Sequence, residues 1–396
     1  MNILILRTMA NVMKLSTYNL QEVGLAKALV RLGHRCDILY YTDKKQDSRQ
    51  VIPFDGDKSI TILWAHGKNV VYEGVFPCLP KILKDYDIIQ VSEYIGINSL
   101  YLNARHQDKT VNYQGPYYSP FNKKDNLRAA VLDRVFLPFC HKKNMVVGCK
   151  SVLAAQYLKD KGIEDVTTLG VGIDLGNLQL PEGELPPFVK DLKANKGDSK
   201  YLLYIGRMEP RRNVLFLLEA AKKAMDEDPR VKLVLVGRGE EDYLCECRQR
   251  MQELGISDRV LYAPQVDQKY MQELYRCCDV FLLPTRYEIF GMVLLEAMYF
   301  GIPVLTTYNG GSATLIEDGK NGFVADKLDP EVWAKTICRI LGDEDLALTV
   351  AENAHRTVAE NYTWDALAPK FIELYTRRLQ GRPDIRKKDG EEVYRT

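Results

Sequence analysis

Across the whole chain, short runs rich in Val, Ile, Leu and aromatic residues alternate with longer stretches of helical period. The runs fall at 2–6, 36–40, 60–63, 87–91, 109–112, 145–148 and 166–169, then at 201–205, 231–236, 259–262, 279–283, 302–306 and 322–325. Between them, residues such as Met271, Leu274, Tyr275 and Cys278 recur at i, i+3, i+4 and i+7, one face of a helix. Strands that alternate with helices form parallel sheets covered on both faces. A chain of 396 residues exceeds what one core usually serves, so two such domains are expected. The stretch 179–199 carries Pro181, Gly183, Pro186, Pro187 and Gly197 among many charges, a linker composition. The expected organisation is a doubly wound α/β domain over 1–178, a linker over 179–199 and a second such domain over 200–362. A helix capped by Thr363 follows over 363–381, with Leu367, Phe371 and Leu374 on one stripe, and a charged, frayed tail closes the chain over 382–396.

Composition narrows the function. With 46% apolar and 27% charged residues the chain is an ordinary globular one, neither fibrous nor disordered. Lys plus Arg (54) balance Asp plus Glu (53), so no global charge draws it to nucleic acid. The balance is local, however: residues 1–174 hold 23 basic and 17 acidic side chains, leaving 31 and 36 for the remainder. Nine cysteines without zinc or disulfide-framework spacing read as free thiols in a reducing compartment. The start, Met1-Asn2-Ile3-Leu4-Ile5-Leu6-Arg7, lacks the basic region and the long apolar run of a signal peptide. No stretch reaches the ~20 apolar residues of a membrane span. A cytoplasmic protein is expected, with attachment to a membrane surface still open.

Ligands of doubly wound sheets sit beyond the carboxyl ends of the strands, near helix N-termini. Four loops of the second half occupy such places. Gly206-Arg207-Met208-Glu209-Pro210-Arg211-Arg212-Asn213 crowds three arginines before the apolar helix that starts at Val214. The helix dipole makes that spot already positive, so an anion is expected among them. A diphosphate would satisfy the arginine forks, whereas a solvated turn with Arg211 paired to Glu209 would be the plain alternative. The second loop, Pro284 to Gly291, leads into Met292-Val293-Leu294-Leu295-Glu296-Ala297-Met298, with the helix expected to begin near Phe290 or Gly291. Glu296 is a carboxylate in an apolar helix and needs hydrogen-bond donors. A ribose diol would supply two hydroxyls; an internal lysine or arginine would serve as well. Asn309-Gly310-Gly311-Ser312 is a glycine turn suited to phosphate contacts. Val236-Gly237-Arg238-Gly239-Glu240 contains G-x-G but lacks the third glycine of a dinucleotide fingerprint, which disfavours a nicotinamide enzyme.

Taken in order, Glu288 and Glu296 form an E-x(7)-E pair enclosing Phe290-Gly291. Gly301-Ile302-Pro303-Val304, Asn309-Gly310-Gly311, Glu317-Asp318-Gly319 and Asn321-Gly322 follow. This run resembles the C-terminal domain of glycosyltransferase family 4, the group 1 enzymes, which are retaining transferases of the GT-B fold. The first half is similar more loosely, through its first strand, a helix ending at Leu32-Gly33-His34, and a Gly172-Ile173-Asp174 turn. The resemblance implies two Rossmann-like domains facing across a cleft, with the last helix crossing back to the first domain. It implies a nucleotide-sugar co-substrate, UDP first and GDP next, and neither metal nor resident cofactor. Arg207 and Arg212 then match the pair that holds the diphosphate, and Glu288 the glutamate near the sugar or its phosphates, these three being the catalytic candidates. Gly206, Gly237, Phe290, Gly291 and Met292 become donor-binding positions, and Glu296 the ribose ligand. Ser16 and Thr17 stand where the family usually has a Gly-Gly pair facing the phosphates. Gln114 stands where many members have a histidine near the sugar ring; glutamine can hydrogen-bond a sugar but cannot shuttle protons.

Residues 122–144 interleave six basic and two acidic side chains with Leu127, Val131, Leu132, Val135 and Phe136. Such a helix can lie on an anionic membrane, which would suit a lipid-linked acceptor, or it can be a domain helix with a solvated basic face. The expected activity is retaining transfer of a sugar to a glycan or lipid-linked acceptor, in cell-envelope or capsular polysaccharide synthesis. The rivals are a nucleotide-sugar epimerase or hydrolase on the same fold, and a non-catalytic partner subunit.

Overall fold

The computed structural model describes residues 1–381 apart from 16–19, 71, 120, 122, 136, 141–143 and 179–183. Ser16, Thr17 and the tail 382–396 therefore lie outside the described residues. Among the described residues ten strands belong to the first half: β1 (Asn2–Leu6), β2 (Arg35–Thr42), β3 (Ser48–Phe54), β4 (Lys58–His66), β5 (Lys68–Val70), β6 (Glu73–Val75), β7 (Ile88–Ser92), β8 (Thr110–Gln114), β9 (Val146–Cys149) and β10 (Asp165–Thr168). Eight of them form one sheet in the order β10-β9-β8-β7-β1-β2-β4-β3, and β5 with β6 makes a separate hairpin. Every pairing in the large sheet is parallel except β3 with β4. The second sheet holds β11 (Lys200–Ile205), β12 (Val231–Val236), β13 (Val260–Ala263), β14 (Val280–Leu283), β15 (Val304–Thr306) and β16 (Phe323–Val324). It is wholly parallel, in the order β13-β12-β11-β14-β15-β16.

The central strands β1, β11 and β14 are apolar nearly end to end and buried on both faces, as parallel strands under two helix layers must be. Apolar patterning missed the antiparallel edge strand β3, as it missed the short hairpin strands β5 and β6. Most residues of β3 face solvent and it contains Pro53, tolerated where a strand has an open edge. The linker composition hid a helix, Pro187–Ala194. Pro187 supplies its preset φ at the first turn, and Val189 and Leu192 bury its inner face.

The order of each sheet reverses once, between β7 and β1 in the first and between β11 and β14 in the second. At such a reversal the loops leaving the two adjacent strands part in opposite directions and open a crevice. Across the cleft the two carboxyl edges come into contact. A Cβ added to Gly115, the residue after β8, would stand 3.1 Å from the Ile289 Cγ2 of the β14 loop.

The last helix, Trp364–Gln380, joins the halves. Thr363 caps it by accepting from the Ala366 N–H at 3.1 Å. Its residues then pack on the first domain: Tyr375 Oη donates to Gln90 Oε1 at 2.6 Å, Arg377 to Thr167 Oγ1 at 2.7 Å, and Arg378 to the Asn144 carbonyl at 2.5 Å. Gly24 and Gly172 make room for the Trp364 ring, which a Cβ at either would meet within 2.5 Å. One apolar core runs from Ile3 and Val111 through Leu367 and Phe371 to Phe290 and Leu294.

Candidate functional site

The crevice of the second sheet is built from the loop after β11 and the loop after β14. The first loop makes a short 3-10 turn, Pro210–Arg212, and ends at Asn213, whose φ of 55° starts the helix Val214–Glu227. Asn213 Nδ2 donates to the Pro284 carbonyl at 2.7 Å, stitching the first loop to the second. That stitch delivers Arg212 to Glu288: the guanidinium donates to Glu288 Oε2 and lies 3.5 Å from Thr285 Oγ1. Both side chains are mostly shielded, 17% and 18% exposed, so their attraction is stronger than a surface pair's.

The anion expected among the arginines is partly supplied by the chain itself. Glu209 lies 2.8 Å from Arg211, 3.7 Å from the Arg212 Nε and 3.8 Å from the Arg207 Nε. Arg211 thus takes the plain pairing. Arg207 is held only at 3.8 Å, by Glu209 and Glu240, and is 66% exposed, so its fork can turn to a ligand at little cost.

Gly291 has a φ of 80°, a left-handed conformation that suits glycine, and is the N-cap of the helix Met292–Tyr299, beside the start expected near Phe290 or Gly291. No side chain caps that start. Met292 is its half-buried first residue, while the ring of Phe290 is buried against Tyr362, with centroids 6.0 Å apart. Glu296 is 2% exposed and accepts from Tyr275 Oη at 2.9 Å. One partner is therefore a tyrosine of the preceding helix, Met271–Arg276. The helical spacing of Tyr275 showed its face but not its hydroxyl's use.

Gly206 and Gly237 spend their amides inside the sheet, donating to the Val236 and Ala263 carbonyls at 3.0 Å each. A Cβ on Gly237 would lie 1.7 Å from the Gly206 carbonyl oxygen. These two glycines let the β11 and β12 loops abut. The Gly310-Gly311 turn behaves likewise. Gly310 N–H faces the Glu288 carbonyl, and Gly311 and Ser312 donate to Asn309 Oδ1. A Cβ on Gly311 would come 2.1 Å from the Phe290 carbonyl oxygen. The turn packs the Glu288–Phe290 loop, and these N–H groups find acceptors within the chain.

In the first domain, Gln114 ends β8 and is buried. Its Oε1 accepts from the Tyr94 N–H at 3.1 Å and its Nε2 donates to the Pro116 carbonyl at 2.7 Å. Both ends of the carboxamide hold the loops that frame the cleft. The helix Lys123–Val135 is seated by Asp133, which takes a hydrogen bond from Tyr94 Oη at 2.6 Å and pairs with Lys161. Leu127 and Val131 face solvent while Leu132 turns inward. Among the described residues no helix is long and apolar enough to cross a membrane.

The family model described as glycosyl transferases group 1 matches residues 189–385. Over those residues the chain belongs to this family. Among relatives of this group 1 protein, the D-inositol 3-phosphate glycosyltransferase of Xylanimonas cellulosilytica is 30% identical over 257 residues, 61% of this chain and 60% of that one. The chain spans about half the length of the curated relatives it matches. Solved structures share its fold. Sucrose-phosphate synthase from Thermosynechococcus elongatus superposes with a TM-score of 0.69 at 20% identity, over 96% of this chain and 100% of that one. Anabaena HepE in complex with UDP-glucose gives 0.65 at 19% identity, over 95% and 99%. The fold is GT-B: two Rossmann-like domains facing each other across the cleft.

Proposed function

We propose that this group 1 protein is a retaining glycosyltransferase that moves a sugar from a nucleoside diphosphate, UDP first among them, to a glycan or lipid-linked acceptor. The Arg212–Glu288 pair at the crevice of the second sheet carries the reading. It joins a cationic fork and a carboxylate at the sheet reversal, the kind of crevice in which ligands of doubly wound sheets bind. Glu296, at the other end of the E-x(7)-E run, binds the ribose, and Arg207 turns from Glu209 to the diphosphate. In transfer, the bond between the anomeric carbon and the diphosphate oxygen breaks and negative charge grows on the departing phosphate. Arg207 and Arg212 are fixed cations placed to meet that charge. They do so without a metal ion in this reading. The carboxamide of Gln114 sets the β8 loop near the sugar and moves no proton. The UDP-glucose bound to HepE supports the choice of UDP.

The acceptor lies on the first domain. Helix Lys123–Val135 exposes Lys123 and Arg134 beside Leu127 and Val131, a basic and apolar stripe that suits an anionic membrane surface and a lipid-linked acceptor. The relative named for inositol 3-phosphate makes a phosphorylated polyol the acceptor to try beside it.

Calorimetric titration of UDP, GDP, ADP and TDP without added metal tests the donor site, followed by a screen of sugars on the nucleotide that binds. Micromolar binding of one nucleotide, with product formed only when acceptor is present, is expected. Turnover without acceptor would make the protein a hydrolase or epimerase, and binding of none would point to a partner subunit.

A further inference from the structure

One side chain of the first domain reaches the backbone of the candidate donor site. Tyr117 lies three residues beyond the end of β8, on the loop that Gln114 frames. Its hydroxyl donates to the Glu288 carbonyl at 3.0 Å and accepts from the Gly310 N–H at 3.1 Å. That same N–H lies 3.0 Å from the Glu288 carbonyl, so three groups from two domains close a small ring. The contact is reciprocated: Tyr287 Oη donates to the Tyr117 carbonyl at 3.2 Å, and the two aromatic rings stand 4.7 Å apart at 47°. Gly310 has no alternative in this ring, since a Cβ there would fall 2.4 Å from the Ile289 carbonyl oxygen and 2.5 Å from that of Glu288.

The ring grips Glu288 on one side while Arg212 grips it on the other. Its carbonyl is held by the first domain and the Gly310 turn, and its carboxylate by a guanidinium of the second domain. A main chain fixed so close to the carboxylate leaves the side chain few rotamers that still reach Arg212.

We propose that Tyr117 is a positioning residue of the donor site acting across the cleft: its hydroxyl clamps the Glu288 backbone, holding the carboxylate against Arg212, so the site is complete only with the first domain seated on it. This rests on reading Arg212 and Glu288 as the donor site. Seating would then be a condition for reaction, and a donor in an open cleft would meet a disordered Glu288 and survive attack by water. Burial pushes the Tyr117 hydroxyl up to about 12, so it stays a proton donor throughout the range in which such an enzyme is assayed.

Tyr117→Phe in the full chain removes the hydroxyl and keeps the ring that packs on Tyr287. Hydrogen exchange of the unliganded protein should show peptides covering 286–292 and 309–313 losing protection roughly tenfold, with the β11 and β12 peptides unmoved. Turnover of the nucleotide sugar should fall about tenfold in kcat, while UDP affinity stays within about threefold, since the ribose end is untouched. Tyr287→Phe should shift both readouts in the same direction by less. In a Glu288→Gln background, Tyr117→Phe should cost nothing further, because a residue acting through Glu288 has nothing left to act on. Unchanged exchange in Tyr117→Phe, or losses that add in the double variant, would overturn the clamp. Failure of the wild-type protein to bind UDP, GDP, ADP or TDP would instead overturn the donor-site reading, and the exchange result would stand apart from it.

Discussion

Arg212 and Glu288 are 76 positions apart in the chain and meet because two loops leave neighbouring strands at the reversal of the sheet. Removing Arg212 strands Glu288, so Arg212→Ala should leave a shielded carboxylate unpaired and lower kcat/KM by roughly 10²–10³. Arg212→Lys should recover only part of that loss, because an ammonium keeps the charge and loses the fork. A steady-state rate for Arg212→Ala within a few-fold of wild type would remove the residue from the diphosphate site. Glu296 behaves differently. Its hydrogen-bond donor, Tyr275 Oη, also lies 3.3 Å from the Val293 carbonyl and keeps that acceptor when the carboxylate is gone. Glu296→Ala should therefore fold, and show its effect as a tenfold or larger loss of UDP affinity by calorimetry; unaltered affinity would end the ribose assignment. The Glu296 carboxylate was legible from sequence because a charge inside an apolar helix demands a partner. That partner was not, since a tyrosine at helical spacing reads as core. The pairing of Arg211 with Glu209 was one of the two readings the sequence offered, whereas the approach of the same carboxylate to Arg207 and Arg212 was not legible, because the turn between them decides which guanidiniums it meets.

The loops themselves are held by glycines whose role only tertiary contact reveals. Gly237 on Gly206 and Gly311 on Phe290 are backbone-to-backbone approaches with no space for a methyl group. From sequence they read as ligand contacts, since a phosphate cradle and a close loop crossing both call for glycine. Gly311→Ala should push the Asn309 turn off the Glu288 loop, cost about 1–3 kcal/mol in urea unfolding and weaken nucleotide binding together. A variant with wild-type stability would show that the turn yields freely. The strands were largely legible because a parallel strand under two helix layers is apolar throughout. β3 was not, because it pairs along one edge only and its residues mostly face water.

At the scale of the molecule, the alternation of strands and helices announced two sheets, but nothing in it specified how they are seated. That seat is rich in tyrosine. Tyr113 donates to the Gly170 carbonyl and packs edge-on against Phe371 of the crossing helix, with centroids 5.2 Å apart. Tyr375 donates to Gln90 from that helix, and Tyr117 spans the cleft. Burial pushes the hydroxyls of Tyr113 and Tyr375 well above the ordinary tyrosine value of 10.0, and that of Tyr117 up to about 12. An unfolded chain releases these protons near the ordinary value, while the folded one retains them. Above that pH the unfolded state binds fewer protons, so stability falls as pH rises, and below it these groups contribute no pH dependence. Urea midpoints should accordingly owe no change to these hydroxyls between about pH 7 and 9 and drop above about pH 10, together with a rise in tyrosinate absorbance. Tyr375→Phe removes one of the retained protons and should make the alkaline decline shallower, although the loss of its bond to Gln90 lowers stability at neutral pH. A variant that keeps the wild-type slope would show that Tyr375 ionises freely, and that the crossing helix leaves its seat on the first domain before the rest of the fold opens.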